Sequence, residues 1–140
     1  MLAQTIGLTN IQGEGFVRVG SLPHSMTASE LAVHIGECLG DVVRVMGDPS
    51  AVITKVGMCS GSGADEWSAA AAMGAQAFLT GEVKHHIALE AADAGIVMLE
   101  AGHHATEEPG IFALAKALQT SALGVQYNVC VSTSRAKAYQ

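Results

Sequence analysis

The side chains of this 140-residue chain that could do chemistry fall into a few short clusters. These are Ser60-Gly61-Ser62-Gly63, then Thr80-Gly81-Glu82 followed by His85 and His86, then Gly102-His103-His104-Ala105-Thr106-Glu107. In the last cluster His103 and Glu107 stand four residues apart, so a helical turn would set an imidazole and a carboxylate on one face. Mixed nitrogen and oxygen donors suit zinc, manganese or iron, although zinc usually takes roughly three or four ligands from protein. The same spacing also describes a surface His-Glu contact at a helix start. Thr106 reads as a helix N-cap, with Pro109 in the first turn where its missing amide is harmless.

Glu82, with one of His85 and His86, is a candidate for moving a proton beside such an ion. His85 and His86 are adjacent, and on a helix adjacent side chains diverge by about 100°, so at most one of them faces the site of Glu82. A carboxylate at a helix start is also favoured by the helix dipole without any chemistry. The Ser60–Gly63 stretch could cradle a phosphate with its amides. It lacks the G-x-x-x-x-G-K-[ST] pattern, and Asp65 and Glu66 would repel an anion, which favours a tight turn. Cys59 beside it is expected to be a buried strand residue, since a nucleophile would need a nearby base. His24 and His34 have no acidic or Cys partner at metal spacing and read as structural.

These clusters need a scaffold that brings them together, and the patterning supplies one. Residues 1–15 give no periodic signal and are expected to be partly loose. Phe16–Gly20 alternates apolar and polar, a strand that Pro23 should close. Thr27 and Glu30 form a capping box for a helix that stops at Gly40. Val42–Met46 and Ala51–Cys59, separated by Gly47-Asp48-Pro49, suggest paired strands joined by a turn. From there β and α alternate: a helix over Ala64–Met73, a strand over Ala75–Thr80, a helix over about Val83–Ala94, a strand over Ile96–Ala101, a helix to Leu123, and a last strand over Val125–Val131. Such alternation predicts one α/β domain with a largely parallel or mixed sheet and helices on both faces. All the polar clusters then lie beyond the carboxyl ends of strands, where open parallel sheets collect ligands. Alanine enrichment in the helices would let them lie close to the sheet or to another subunit.

Composition sets the outer bounds. The chain is 49% hydrophobic and 14% charged, enough for one core. Its apolar runs are far short of the roughly 20 residues of a membrane helix. MLAQTIGLTN lacks the features of a secretory signal, so a cytoplasmic location is expected. Cys38, Cys59 and Cys130 are odd in number and set among apolar neighbours, as buried reduced thiols would be. A formal charge of −6 with scattered Lys and Arg offers no stripe for nucleic acid, and aromatic residues for stacking are scarce.

The order CSGSGAD, GAQAFLTGEVKHHIALEAADAGI, LEAGHHATEEPGI resembles the C-terminal region of the Nif-three-like family. Its members are also labelled GTP cyclohydrolase 1 type 2 homologues or dinuclear-metal-centre hexameric proteins. The likeness runs from the LAQTIGL segment to the C-terminus and is carried most specifically by TGE(V)KHH and GHHATE. It implies a toroidal homohexamer built from dimers, each protomer holding a pair of divalent metals in a pocket that faces an internal cavity. The G-H-x-x-T-E pattern carries metal ligation onto His103 and Glu107, and the TGE pattern places Glu82 and His86 in the same pocket. The implied activity is metal-dependent hydrolysis, with metal handling or an assembly module as the alternative. Family members supply a His-His pair and an Asp from another half that has no counterpart in this chain. The resemblance therefore implies an incomplete site here, empty or completed by a separate polypeptide, and a chain inactive by itself.

Overall fold

A computed structural model of the chain describes residues 1–121 and 126–132. One six-stranded mixed sheet organises it, in the order β1-β2-β4-β5-β6-β3. Its strands are β1 (Thr9–Gln12), β2 (Arg18–Thr27), β3 (Arg44–Met46), β4 (Val52–Met58), β5 (Ala77–Thr80) and β6 (Val97–Glu100). The helices are α1 (Leu2–Thr5), α2 (Ala28–Leu39), α3 (Trp67–Ala72, entered through a 3-10 turn at Ala64–Glu66), α4 (His85–Asp93) and α5 (His103–Gln119).

The parallel part is the centre. Strands β4, β5 and β6 run parallel, joined by α3 and α4. Every residue of β5 is buried, as a strand covered on both faces requires. Alternate side chains divide between two cores. Leu79 and Leu99 join Leu31, Ile35 and Ala105 on the face of α1 and α2, while Phe78 and Met98 join Ala70, Ile87 and Ala91 on the face of α3 and α4. Each fully buried Leu, Ile, Phe or Met among them contributes about 1.5–3 kcal/mol relative to exposure. Alanine in α3 serves close approach: Ala70 lies over Gly57, where any Cβ on the strand would collide with the Ala70 methyl.

Helix α2 begins as the sequence dictates. The Thr27 side chain accepts from the Glu30 amide, the Glu30 carboxylate accepts from the Thr27 amide, and Gly40 ends the helix in the left-handed conformation (φ 66°).

Several expectations are corrected at the edges. Within residues 1–15, expected to be partly loose, Leu2–Thr5 form α1 and Thr9–Gln12 form β1, and Ala3, Ile6 and Leu8 are buried while residues 9–15 are exposed. Phe16 is not in a strand but 85% exposed, and β2 runs on through Pro23. A register irregularity between Ser21 and Met26 takes Pro23, which has no amide to donate, out of the ladder. The segments 42–46 and 51–59 do not pair. Strand β3 lies antiparallel on β6 at the far edge, with Arg44 ion-paired to Glu100 at 3.1 Å. The connection is diverted by the α2 start, where Ala28 and Ser29 amides donate to Ala51 and Pro49 carbonyls. Asp48 also accepts from the Ser50 amide and hydroxyl, which makes a local Asx turn and no hairpin.

The antiparallel pairs β1-β2, β2-β4 and β3-β6 make the sheet mixed, not largely parallel. Helix α5 ends at Gln119, and Leu123 lies outside the described residues. Of the strand expected over 125–131, Val125 also lies outside them, and residues 126–131 form no strand. The Val129 carbonyl accepts from the Gln119 side chain instead of a ladder partner.

Candidate functional site

The loops after β4, β5 and β6 meet at one rim of the sheet and are fastened by two buried hydroxyls. Thr106 Oγ1 accepts from the Gly61 amide at 3.0 Å and lies within hydrogen-bond reach of the Gly102 and His103 carbonyls at 3.0 and 2.9 Å. Thr80 Oγ1 donates to the Gly61 carbonyl at 3.1 Å and accepts from the Gly63 amide at 3.2 Å. The Gly61 carbonyl also accepts from the Gly81 and Glu82 amides. Glycine is required at both crossings. A Cβ on Gly81 would stand 2.7 Å from the His103 Cα, and one on Gly61, whose φ is +66°, would stand 2.7 Å from Glu107 Oε1.

On this platform His103 is held between two carboxylates. Its Nδ1 lies 2.8 Å from Glu82 Oε1, and its Nε2 lies 3.3 Å from Glu107 Oε1. Ser62 Oγ donates to the other Glu82 oxygen at 2.8 Å and lies 3.3 Å from His103 Nδ1. The hydrogen bond with Glu82 is the main cause that raises the His103 pKa, helped by the negative charge of Glu107. The Glu82 pKa is lowered, first by the hydrogen bond from Ser62 and then by that with His103. These side chains are about half exposed, so water screens much of the Coulomb attraction and geometry matters more than charge.

The neighbouring histidines take other directions. His104 turns to Glu108 at 3.5 Å, whereas His85 and His86 are exposed at the start of α4. Among the described residues, His86 makes no hydrogen bond or ion pair with Glu82, His103 or Glu107, and no group of three metal-ligating side chains assembles. Glu82, His103 and Glu107 are thus brought together, and His86 is not joined to them.

Other readings are adjusted here. Thr106 is not an N-cap: α5 already starts at His103 with Gly102 before it, which frees the Thr106 hydroxyl to hold the Gly61 loop. Pro109 consequently lies in the second turn of α5, inside the helix. The Gly61 and Gly63 amides are spent on threonines, which fits a tight turn better than a phosphate cradle. Cys59 and Cys38 are half-buried and Cys130 is exposed, so the thiols are free but not fully buried. His34 does have a Cys partner, contrary to the sequence reading: its Nε2 lies 3.8 Å from Cys38 Sγ four residues on, and 3.0 Å from the Ile6 carbonyl, a contact that ties α2 to α1. The sequence reading placed Ser62 and Thr80 in its clusters but gave neither a role, and the loop-holding role of Thr106 escaped it. The only local signal was the position of Ser62 and Thr80 at strand ends.

A mixed α/β sheet with an imidazole-carboxylate cluster at the carboxyl rim of its parallel strands defines the class. The chain belongs to the Duf34/NIF3 family (NGG1p interacting factor 3), whose model matches residues 1–138. A GTP cyclohydrolase 1 type 2 homolog of Deinococcus radiodurans is 34% identical over 125 residues, covering 85% of this chain and 48% of that protein. The solved structure of the protein ybgI, described as of unknown function, aligns with a TM-score of 0.78 and 35% identity over 87% of this chain and 50% of that one. A Bacillus cereus protein related to NIF3 aligns with a TM-score of 0.79 and 25% identity, covering 90% of this chain and 35% of that one. The chain spans about half the length of the curated relatives it matches. Among the described residues no helix is long and apolar enough to cross a membrane.

Proposed function

We propose that this chain carries one face of a divalent-metal site, with His103 and Glu107 as ligands, in a metal-dependent hydrolase of the NIF3 family. The observation that carries the reading is the placement of His103 Nε2 3.3 Å from Glu107 Oε1. Ligands at about 2.0–2.2 Å from a zinc-like ion stand roughly 3–3.5 Å apart, so the donor pair fits one edge of a coordination shell. With Nδ1–H of a neutral imidazole donating to the Glu82 carboxylate, Nε2 and Oε1 both present lone pairs to each other, and a cation between them relieves the conflict. A bound divalent ion would supply Lewis acidity and charge neutralisation for hydrolysis. Glu107 and His103 hold it, Glu82 orients the imidazole, and the Gly61 backbone leaves room for both donors. Glu82 and His86 remain the candidates for proton movement, Glu82 by its place in the cluster and His86 only by family likeness.

Two donors do not complete a site. The remaining ligands come, on this reading, from the part of the longer relatives that residues 1–140 do not span, within a homo-oligomer. The alternative, a metal-handling or assembly module without catalysis, is favoured by the lack of a third ligand among the described residues. Metal analysis of the purified chain with zinc, manganese or ferrous iron, before and after His103→Ala, tests the site. Metal lost on substitution supports it, and uptake unchanged by His103→Ala refutes it. Turnover of GTP or phosphoesters in the presence of the portion that the longer relatives carry beyond the matched half separates hydrolase from module.

A further inference from the structure

We infer that Ser62 is a positioning residue that fixes which ring nitrogen His103 presents to a cation. The inference rests on the metal reading of His103 and Glu107 and adds what selects Nε2 over Nδ1. A neutral imidazole carries its proton on one nitrogen only, and the hydrogen bond made by one nitrogen decides the role of the other. Glu82 can make that choice only while its carboxylate is held in place, and its side chain is 59% exposed on a loop. A long exposed carboxylate has several rotamers of similar energy, so one tether to a half-exposed ring fixes it poorly.

Ser62 supplies the second tether. Its hydroxyl occupies Glu82 Oε2 at 2.8 Å, which leaves Oε1 turned to His103 Nδ1 at 2.8 Å. The hydroxyl oxygen also lies 3.3 Å from Nδ1, a further acceptor for a proton there and none for one on Nε2. The hydroxyl is itself well anchored, because the residues on either side of Ser62 donate their amides to Thr106 and Thr80. Serine, carboxylate and imidazole thus form a chain of hydrogen bonds running from a fixed loop to the ligand ring. The outer partners of a metal-bound histidine typically change metal affinity by about 10–100-fold when removed.

Side-chain nitrogen-15 spectra of the metal-free full chain, recorded well above the histidine range, read the His103 tautomer directly. The parent is expected to hold the proton on Nδ1. Ser62→Ala is expected to shift population to the Nε2-protonated form and to weaken zinc binding by about tenfold, and Ser62→Thr to restore both. Retention of the Nδ1 form in Ser62→Ala overturns the inference whether or not metal binds. A tautomer shift in a chain whose parent takes up no zinc supports the hold of Ser62 on the ring and refutes the metal reading instead.

Discussion

Glu82 and His103, 21 residues apart in sequence, meet at 2.8 Å across the rim of the sheet, with the imidazole Nδ1 against the carboxylate Oε1. The contact joins the loop after β5 to the first residue of α5 and turns Nε2 towards Glu107. If that contact orients a ligand, Glu82→Ala weakens metal binding by about 10–100-fold while leaving the fold intact. Calorimetric titration with zinc, alongside a denaturation curve, checks it. An affinity within twofold of the parent would contradict the role.

Gly61→Ala should damage both stability and the site. Its φ of +66° strains any L side chain, and the new methyl would press on Glu107 Oε1 and His103 Nε2. The left-handed conformation alone costs about 1–2 kcal/mol. Urea unfolding should show at least that loss, and metal uptake should fall because the two donors are pushed from their places. Stability lost without loss of metal uptake would place the ligands elsewhere.

Much of this site was legible because β-α alternation fixes where loops go. Once Ala77–Thr80 and Val97–Glu100 are parallel neighbours, Glu82 and His103 must emerge at the same rim. The hydroxyl partners were not legible, since a threonine four residues into a motif looks like an N-cap until the helix start is known. The placement of β3 was hidden for another reason. Gly47-Asp48-Pro49 makes a turn in either case, and only the contacts of Pro49 and Ala51 with the start of α2 decide that the strands on either side part company. Pro23 misled in the same way, because a bulge lets a strand pass through a residue that cannot join the ladder.

Thr106 is 1% exposed, and its hydroxyl is the acceptor for the Gly61 amide. Thr106→Val keeps the shape and removes the acceptor, leaving a buried amide unpaired at a cost of about 1–3 kcal/mol. Thr106→Ser retains the hydroxyl and should lose less. Chemical denaturation of the variants gives the order parent, Ser, Val; a Val variant as stable as the parent would mean that the loop finds another partner.

The capping box of α2 predicts an acid-sensitive contribution. The Glu30 pKa is lowered, chiefly by the hydrogen bond from the Thr27 amide and then by that from the Thr27 hydroxyl. A carboxylate whose folded pKa lies below its unfolded one adds stability that is fully present above the unfolded value and is lost as pH falls through the folded value. Glu30→Gln removes the titration but can keep a neutral hydrogen bond to the amide. The parent should therefore be more stable than Glu30→Gln at neutral pH, and the gap should close on acidification below the ordinary glutamate range. Melting temperatures of both chains across that range measure the gap. A gap that stays constant, or widens as the carboxyl is protonated, would show that the ionised form of Glu30 contributes nothing to holding the start of α2.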